Sequence, residues 1–299
     1  SISRAISAIA DAEVTDYNVA TIPGIAQTKL TDKLINTVES RADALAIIDI
    51  ENGYTPAHEN DSDITARRGS VASAISSLKT RNLDSSYACT YYPWVQIKDR
   101  FNDQLIWVPP SVVALGTLSS AQATSELWFA PAGFTRGGLT EGSAGLPVMN
   151  VRERLTAKDR DKLYEANINP IAKFPAEGIV IFGQKTLQVQ RSALDRINVR
   201  RLLIFLKKEI SIIAATTLFE QNTRETWNNF LGRAEPLLRS VKARLGLDDF
   251  KIILDETTTT PDLIDRNIMY AKIFLKPTRA IEFIALDFVI TNSGASFED

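Results

Sequence analysis

The 299 residues are enough for two domains, and the 44% hydrophobic and 23% charged content is ordinary for a globular protein with a core. Lys and Arg total 34 against 36 Asp and Glu, a formal charge of −2. This balance argues against nucleic-acid binding, which needs a clear basic excess. No apolar run approaches the roughly 20 residues that span a bilayer, so we expect no membrane insertion.

The chain has one cysteine, Cys89, and one histidine, His58. A single cysteine excludes an intramolecular disulfide framework and fits a reducing compartment. One histidine and one cysteine are too few for a His/Cys zinc site. The residues therefore predict neither a disulfide scaffold nor a zinc centre of this kind.

The first half of the chain alternates strand and helix patterns. The run 44–50, Ala-Leu-Ala-Ile-Ile-Asp-Ile, is apolar on both faces, which predicts a buried parallel strand between helices. Around it lie predicted strands at 17–22, 86–97 and Trp128-Phe129, and predicted helices at 30–38, about 64–78 and from Pro109-Pro110. This alternation predicts a doubly wound α/β sandwich.

The second half reads as α+β. Thr156 with Asp159 forms a box-like helix start, and an irregular stretch with two prolines follows. We place the domain boundary there, between residues 168 and 169. Beyond it, the pattern predicts strands at 178–183, 250–254, 271–276 and 281–291, and long helices at 199–213 and 227–245, the second with a kink or break at Pro236.

The last predicted strand, 281–291, is largely apolar on both faces. Its first face carries Ile284, Leu286, Phe288 and Ile290, and its second carries Phe283, Ala285, Asp287 and Val289. A strand at a chain end exposes backbone donors and acceptors that another strand must pair. The sequence leaves open whether the partner strand belongs to the same chain or to a neighbour.

Several long segments carry a family resemblance. They are the run 192–203, Ser-Ala-Leu-Asp-Arg-Ile-Asn-Val-Arg-Arg-Leu-Leu; the run 255–267, which opens Asp-Glu-Thr-Thr-Thr-Thr-Pro; and the run 131–137, Pro-Ala-Gly-Phe-Thr-Arg-Gly, which follows Trp107-Val108-Pro109. In their order along the chain, these segments resemble the contractile tail sheath proteins of bacteriophages. The resemblance implies an α/β protein: a non-catalytic, subtilisin-like α/β sandwich domain over residues 1–168, then an α+β sheath C-terminal domain over residues 169–299.

The resemblance implies a structural role. Sheath subunits polymerise helically around a tail tube and contract to drive the tube through the host envelope. The implied partners are other sheath subunits, the tail tube protein, and baseplate and tail terminator proteins, with no nucleic acid, membrane insertion or cofactor. The implied location is the virion tail, after assembly in the host bacterial cytoplasm. A tailocin or type VI secretion sheath is an alternative with the same architecture.

The resemblance also suggests which residues make contacts. Family subunits are joined by arms that add strands to a neighbour's sheet, which implies an inter-subunit role for Ile284, Leu286, Phe288 and Ile290. A charged helix of the C-terminal domain faces the tube, and the candidate tube-facing residues here are Arg224, Arg233, Arg239 and Lys242. The basic residues of the preceding helix, which include Arg200 and Arg201, are interpreted as a solvated face opposite a core stripe.

A diverged hydrolase on a subtilisin-like scaffold is the enzymatic alternative. A serine protease needs a histidine base beside an exposed serine. Only His58 could serve; it lies in a polar loop without glycine-rich context, and no Gly-x-Ser-x-Gly elbow occurs. We therefore predict that the protein is not an enzyme. Family members also carry an N-terminal arm, whereas this chain begins at Ser1, so residues 1–299 alone are predicted to be monomeric or weakly associating.

Overall fold

The structure, a computed structural model, describes residues 1–51, 53–55, 68–99, 101–142 and 144–285. The helices, in chain order, are α1 (Ile2–Ala8), α2 (Thr28–Arg41), α3 (Val71–Thr80), α4 (Pro110–Thr124), α5 (Gly133–Arg136), α6 (Ala157–Glu165), α7 (Ile197–Ala215), α8 (Arg224–Ala243) and α9 (Pro261–Asp265). The strands are β1 (Val19–Thr21), β2 (Leu45–Ile48), β3 (Ala88–Tyr92), β4 (Val95–Asp99), β5 (Gln104–Val108), β6 (Val148–Val151), β7 (Asn169–Phe174), β8 (Gly178–Ile181), β9 (Leu247–Ile253) and β10 (Lys272–Pro277).

A five-stranded sheet, in the order β1-β2-β3-β7-β8, forms the centre of the first unit. The first four strands are parallel and β8 is antiparallel to β7. Strand β2 is buried along its whole length because both sheet faces are covered. Leu45 and Ile47 belong to the core that includes α4, and Ala46 and Ile48 to the core that includes α2 and α3. The predicted buried parallel strand and the α/β class are confirmed.

Two other predicted strands differ from the structure. The aromatic stretch 86–97 is two strands, β3 and β4, which lie in different sheets. Pro93 separates them after a cis peptide bond, since proline has no N–H to donate to a ladder. Trp128-Phe129 forms a turn instead of a strand, and the buried Trp128 indole Nε1 donates to the carbonyl oxygen of Arg244 at 2.9 Å.

The first unit extends past the predicted boundary at residue 168. Strands β7 and β8 follow that boundary, yet β7 pairs with β3 in the central sheet. Asn169, the first residue of β7, is fully buried and its amide donates to the carbonyl oxygen of Thr90 at 3.0 Å. A boundary at 168 would therefore cut a hydrogen-bonded sheet, and the structure moves the end of this unit beyond β8.

Helix α7 connects the first unit to the second. Its residues Ile197 and Ile204 lie in the core beneath the five-stranded sheet, while Leu202 and Leu206 pack with α8 and β9. Helix α8 continues through Pro236, where the sequence predicts a kink or break. Among the described residues, no helix combines the length and apolarity needed to cross a membrane.

The predicted solvated face of α7 is wrong at Arg200 and Arg201, which are only 7% and 4% exposed. The first half of α7 lies between the sheet and the second unit, so the charged side has no access to water. The Arg200 guanidinium stacks 4.0 Å from the centre of the Tyr87 ring, and Arg201 Nη2 donates to Gln122 Oε1 at 2.8 Å. Burial lowers the pKa of Arg201 to about 10.

Candidate assembly surfaces

The basic residues predicted to face a tube lie on α8 and all have partners within the chain. The pairs are Arg224 with Glu256 (2.7 Å), Arg233 with the Thr216 hydroxyl (3.0 Å), Arg239 with Glu235 (3.1 Å) and Lys242 with Asp249 (2.8 Å). The ion pairs are exposed, and such pairs contribute about 0–1 kcal/mol each. They can therefore exchange one partner for another at small cost.

The geometry of α8 separates these residues. At 3.6 residues per turn, Arg224 and Lys242 fall on one line along the helix, and Arg239 lies about 60° around the helix from that line. Arg233 falls on the opposite side, where it contacts Thr216 at the end of α7. The structure therefore brings three of the four predicted residues onto one side and leaves Arg233 apart from them.

Strands β9 and β10 form a two-stranded antiparallel sheet. Its inner side chains, Ile252, Ile273 and Leu275, pack on α7 and α8. Its outer face includes Phe274, which is 54% exposed. Within the described residues neither strand pairs on its second side, so both edges carry free donors and acceptors. Two strands alone are marginally stable, and a third would add ladder bonds.

The terminal segment begins where β10 ends. Residues 281–285 form no strand with the rest of the described chain, although the sequence predicts one, and Ile284 is 78% exposed. Ile281 and Phe283 are similarly exposed. Leu286, Phe288 and Ile290 lie outside the described residues. The described part of the segment thus presents apolar side chains to solvent, and the inter-subunit strand stays a prediction.

Glu282 is the exception in this exposed segment. Its carboxylate accepts from Arg196 at two points, 2.6 Å from Nε and 2.9 Å from Nη2, and from Gln184 Nε2 at 3.3 Å. The Glu282 side chain is 17% exposed. Sequence reasoning did not single out Glu282. The sequence does contain a signal for Glu282, because it is a carboxylate between apolar residues in the run 281–286.

Asp49 and Ser111 form a buried carboxylate–serine pair in the first unit, which differs from the exposed serine beside a histidine that the hydrolase alternative would require. Asp49 follows β2, and its Oδ2 accepts from the Ser111 hydroxyl at 2.7 Å and from Gly24 N at 2.8 Å. Both residues are buried, and Ser111 N, at the start of α4, also donates to Oδ1 at 3.2 Å. His58 lies outside the described residues. The contacts explain Asp49 as a cap for α4.

Replacing Asp49 by Asn is expected to lower the free energy of unfolding by about 1–3 kcal/mol at pH 7, because the new amide would point a donor at a backbone N–H. Burial raises the pKa of Asp49, despite hydrogen bonds from Ser111 and Gly24 that lower it. A raised folded-state pKa stabilises the fold below the unfolded value of 3.8, and this stability is lost as pH rises through the folded value. In urea unfolding, the free energy of unfolding of the parent should therefore exceed that of the variant by more at pH 4 than at pH 7. An equal excess at the two pH values would contradict this prediction.

In the part of the chain that the structure describes, the fold is mixed α/β, with unpaired strand edges and an exposed apolar segment. Two family models match it: the phage tail sheath protein central domain over residues 2–187 and the phage tail sheath C-terminal domain over residues 189–291. The chain belongs to the phage tail sheath family. The two matches meet after β8, in agreement with the sheet pairing described above.

Individual relatives agree with the family. The tail sheath protein of Vibrio phage KVP40 is 38% identical over 218 residues, which are 73% of this chain and 32% of the relative. The tail sheath protein of Enterobacteria phage T4 is 34% identical over 218 residues, with the same coverage. The chain therefore spans about a third of the length of these relatives.

Solved structures share the fold. The contracted sheath complex of the extracellular contractile injection system PVC superposes with a TM-score of 0.73 at 22% identity, covering 95% of this chain and 74% of that one. The contracted helical sheath of the anti-feeding prophage gives a TM-score of 0.72 at 22% identity, with coverages of 95% and 73%.

Proposed function

We propose that the protein is a structural subunit of a contractile phage tail sheath, which polymerises helically around the tail tube and contracts to drive the tube through the host envelope. The observation that carries this proposal is the match of two sheath family models along nearly the whole chain. The exposed terminal segment and the free edges of β9 and β10 support it, because both suit joining by strand addition. The role is mechanical and needs no catalytic step or cofactor.

The proposed partners are other sheath subunits, the tail tube protein, and baseplate and tail terminator proteins. The proposed location is the virion tail, reached by assembly in the host cytoplasm. A sheath of a tailocin, a type VI secretion system or a related injection machine is the second candidate, since the injection-system sheaths share the fold. The higher identity to phage relatives, 38% against 22%, favours a phage tail. Capsid genes beside the sheath gene would support the phage assignment.

In this proposal the sheet β9–β10 receives the joining strand. The terminal segment carries the apolar residues Ile284, Leu286, Phe288 and Ile290 at strand spacing, and among the described residues the sheet has an unpaired edge on each side. Main-chain hydrogen bonds would supply affinity, and the alternating side chains would set the register. The residues after Glu282 would then pair only once a neighbouring subunit is present.

Negative-stain electron microscopy of the complete gene product, expressed alone, tests the proposed function. Ribbed tubes or stacked rings are the expected result. A dispersed monomer, at high concentration and also in the presence of purified tail tubes, would contradict a sheath role.

The side of α8 that carries Arg224, Arg239 and Lys242 is proposed to face the tube. Reversing all three charges to Glu is expected to weaken binding to tail tubes about tenfold or more at low salt, because each exposed pair contributes up to about 1 kcal/mol. Co-sedimentation with tubes measures the effect at two salt concentrations. Arg233→Glu, on the opposite side of the same helix, is the matched control. Unchanged binding by the triple variant, or a larger loss from Arg233→Glu, would rule out this side.

A further inference from the structure

The pocket that holds Glu282 contains more positive than negative groups when Glu282 itself is left out of the count. Its cations are Lys185 and Arg196, which share the ring of Tyr164: Lys185 Nζ lies 4.3 Å and the Arg196 guanidinium carbon 5.8 Å from the ring centre. The pocket supplies one carboxylate, Asp195, whose Oδ1 lies 3.0 Å from Arg196 Nη1. Two cations and one anion leave a net positive charge, to which Arg191 adds through its effect on Lys185, and Glu282 reduces this charge.

The contact between Glu282 and the pocket is of a strong kind. Two N–H···O bonds join two nitrogens of the Arg196 guanidinium to the two oxygens of the Glu282 carboxylate, and charge-assisted pairs of this kind are stronger than single neutral hydrogen bonds. The site is also partly shielded from water. Burial lowers the pKa of Lys185, and the Arg196 charge lowers it further, whereas Glu282 raises it. The pocket is thus matched to a carboxylate.

Glu282 is the fixed point of the chain beyond β10. Thr278, just after β10, is held by the Gly246 carbonyl oxygen at 3.2 Å and by Asp248 at 2.8 Å. No backbone hydrogen bond joins residues 279–285 to the rest of the described chain. Apart from Glu282, the side chains of 280–285 are apolar and exposed. The direction of the segment after Thr278 therefore depends on where Glu282 is bound.

We propose that Glu282 and its pocket form an anchor that sets where the terminal segment leaves the subunit and in which direction. The inference rests on the proposed function, in which the residues after the anchor join a neighbouring subunit. The register of strand pairing must be correct to one residue, because a shift by one residue turns every side chain to the other face of the sheet. Glu282 is a positioning residue: it holds the start of the segment, and the residues after it form the strand that pairs with the neighbour.

Distance measurements between two spin labels test the anchor in the 299-residue chain. One label is placed at Ala285→Cys, beyond the anchor, and one at Lys162→Cys on the exposed side of α6. Cys89 is buried, and burial raises its pKa to about 12, so thiol reagents will spare it. The parent should give a narrow distance distribution, and Glu282→Gln should broaden it about twofold, because the charge-assisted contact is lost.

Trypsin cleavage after Arg279 supplies a second measurement. Proteases cut segments that detach locally, and the anchor holds the chain on the C-terminal side of this bond. Glu282→Gln is expected to speed cleavage at Arg279 about tenfold. Arg196→Lys keeps the positive charge but loses the forked contact, so it should give intermediate values. Glu256→Gln is the matched control: it removes the same charge from an exposed arginine pair, and both readouts should stay at parent values.

Assembly of the complete gene product separates this inference from the proposed function. Looser attachment in Glu282→Gln together with about tenfold fewer tubes supports the anchor. Unchanged distances and cleavage in both Glu282→Gln and Arg196→Lys overturn it. Glu282→Gln could instead loosen the segment and still give normal tubes, while truncation after Ala285 abolishes tubes. That result would overturn the positioning role of Glu282 but would leave the proposed joint between subunits intact. Normal tubes from the truncated protein as well would overturn the joint itself. Circular dichroism confirms that each variant is folded.

Discussion

Truncation of the complete gene product after Ala285 is expected to abolish tube formation and leave the subunit folded. The last buried apolar residue of the described chain is Leu254, and both Thr278 and Glu282 remain in the truncated protein. The loss should therefore fall on contacts between subunits. Electron microscopy should show no tubes, and circular dichroism should match that of the parent.

The magnitudes explain why this effect should be complete. Burial of Leu286, Phe288 and Ile290 in a neighbour's sheet would contribute about 1.5–3 kcal/mol each. Each main-chain hydrogen bond would add about 0.5–1.5 kcal/mol. Each joint would then be worth roughly 5 kcal/mol or more, against about 0–1 kcal/mol for an exposed ion pair on α8. The strand, and not the charged helix, should decide whether the polymer forms.

A shorter truncation is the matched control. Ending the chain after Phe297 keeps the whole apolar run. Tubes of parent length are expected from this variant. If truncation after Ala285 also gave tubes of parent length, the joint between subunits would have to lie elsewhere, and the free edges of β9 and β10 would need another explanation.

Gly116→Ala should destabilise the fold strongly, although it adds only one methyl group. Gly116 lies in α4, and a Cβ there would stand 2.0 Å from the Ala144 carbonyl oxygen and 2.8 Å from the Ala144 carbonyl carbon. In a helix interior, Ala is normally better than Gly by about 1 kcal/mol. Here the backbone of the facing loop must move, which costs more, so we expect a net loss of about 3 kcal/mol in the free energy of unfolding. Urea unfolding measures it.

The same Gly→Ala substitution in α8 should raise the free energy of unfolding instead of lowering it. A Cβ on Gly232 would meet no atom within 4 Å, so Gly232→Ala keeps only the helix gain of about 1 kcal/mol. Measuring both variants separates close packing from helix propensity. A stabilised Gly116→Ala protein would show that α4 and the loop at Ala144 are not in close contact.

Sequence patterns correctly predicted the structural features that depend on local periodicity. The continuous apolar run around Leu45–Ile48 and the capping pattern at Thr156 were sufficient to place a buried strand and a helix start, and both are confirmed. The sheath family also followed from the sequence, because long segments carry more information than any short motif. The features that failed depend on contacts between segments far apart in the chain.

The burial of Arg200 and Arg201 illustrates this limit. A helix with an apolar stripe and charges opposite predicts one solvated face, but α7 is covered on both sides. The boundary at 168 failed for a similar reason, since β7 returns to pair with β3, about 80 residues earlier. The partner of Glu282 could not be predicted either, because Arg196 lies 86 residues away in sequence.

The position of Arg196 has a mechanical consequence. It is the residue immediately before α7, a helix of 19 residues and hence a rod about 28 Å long. This rod is embedded in the cores of both units through Ile197 and Ile204 on one side and Leu202 and Leu206 on the other. Tension on the terminal segment would enter at one end of the rod and spread into both cores together. The contact between Glu282 and Arg196 would then break before either core is disturbed, and the short tether between Thr278 and Glu282 could extend.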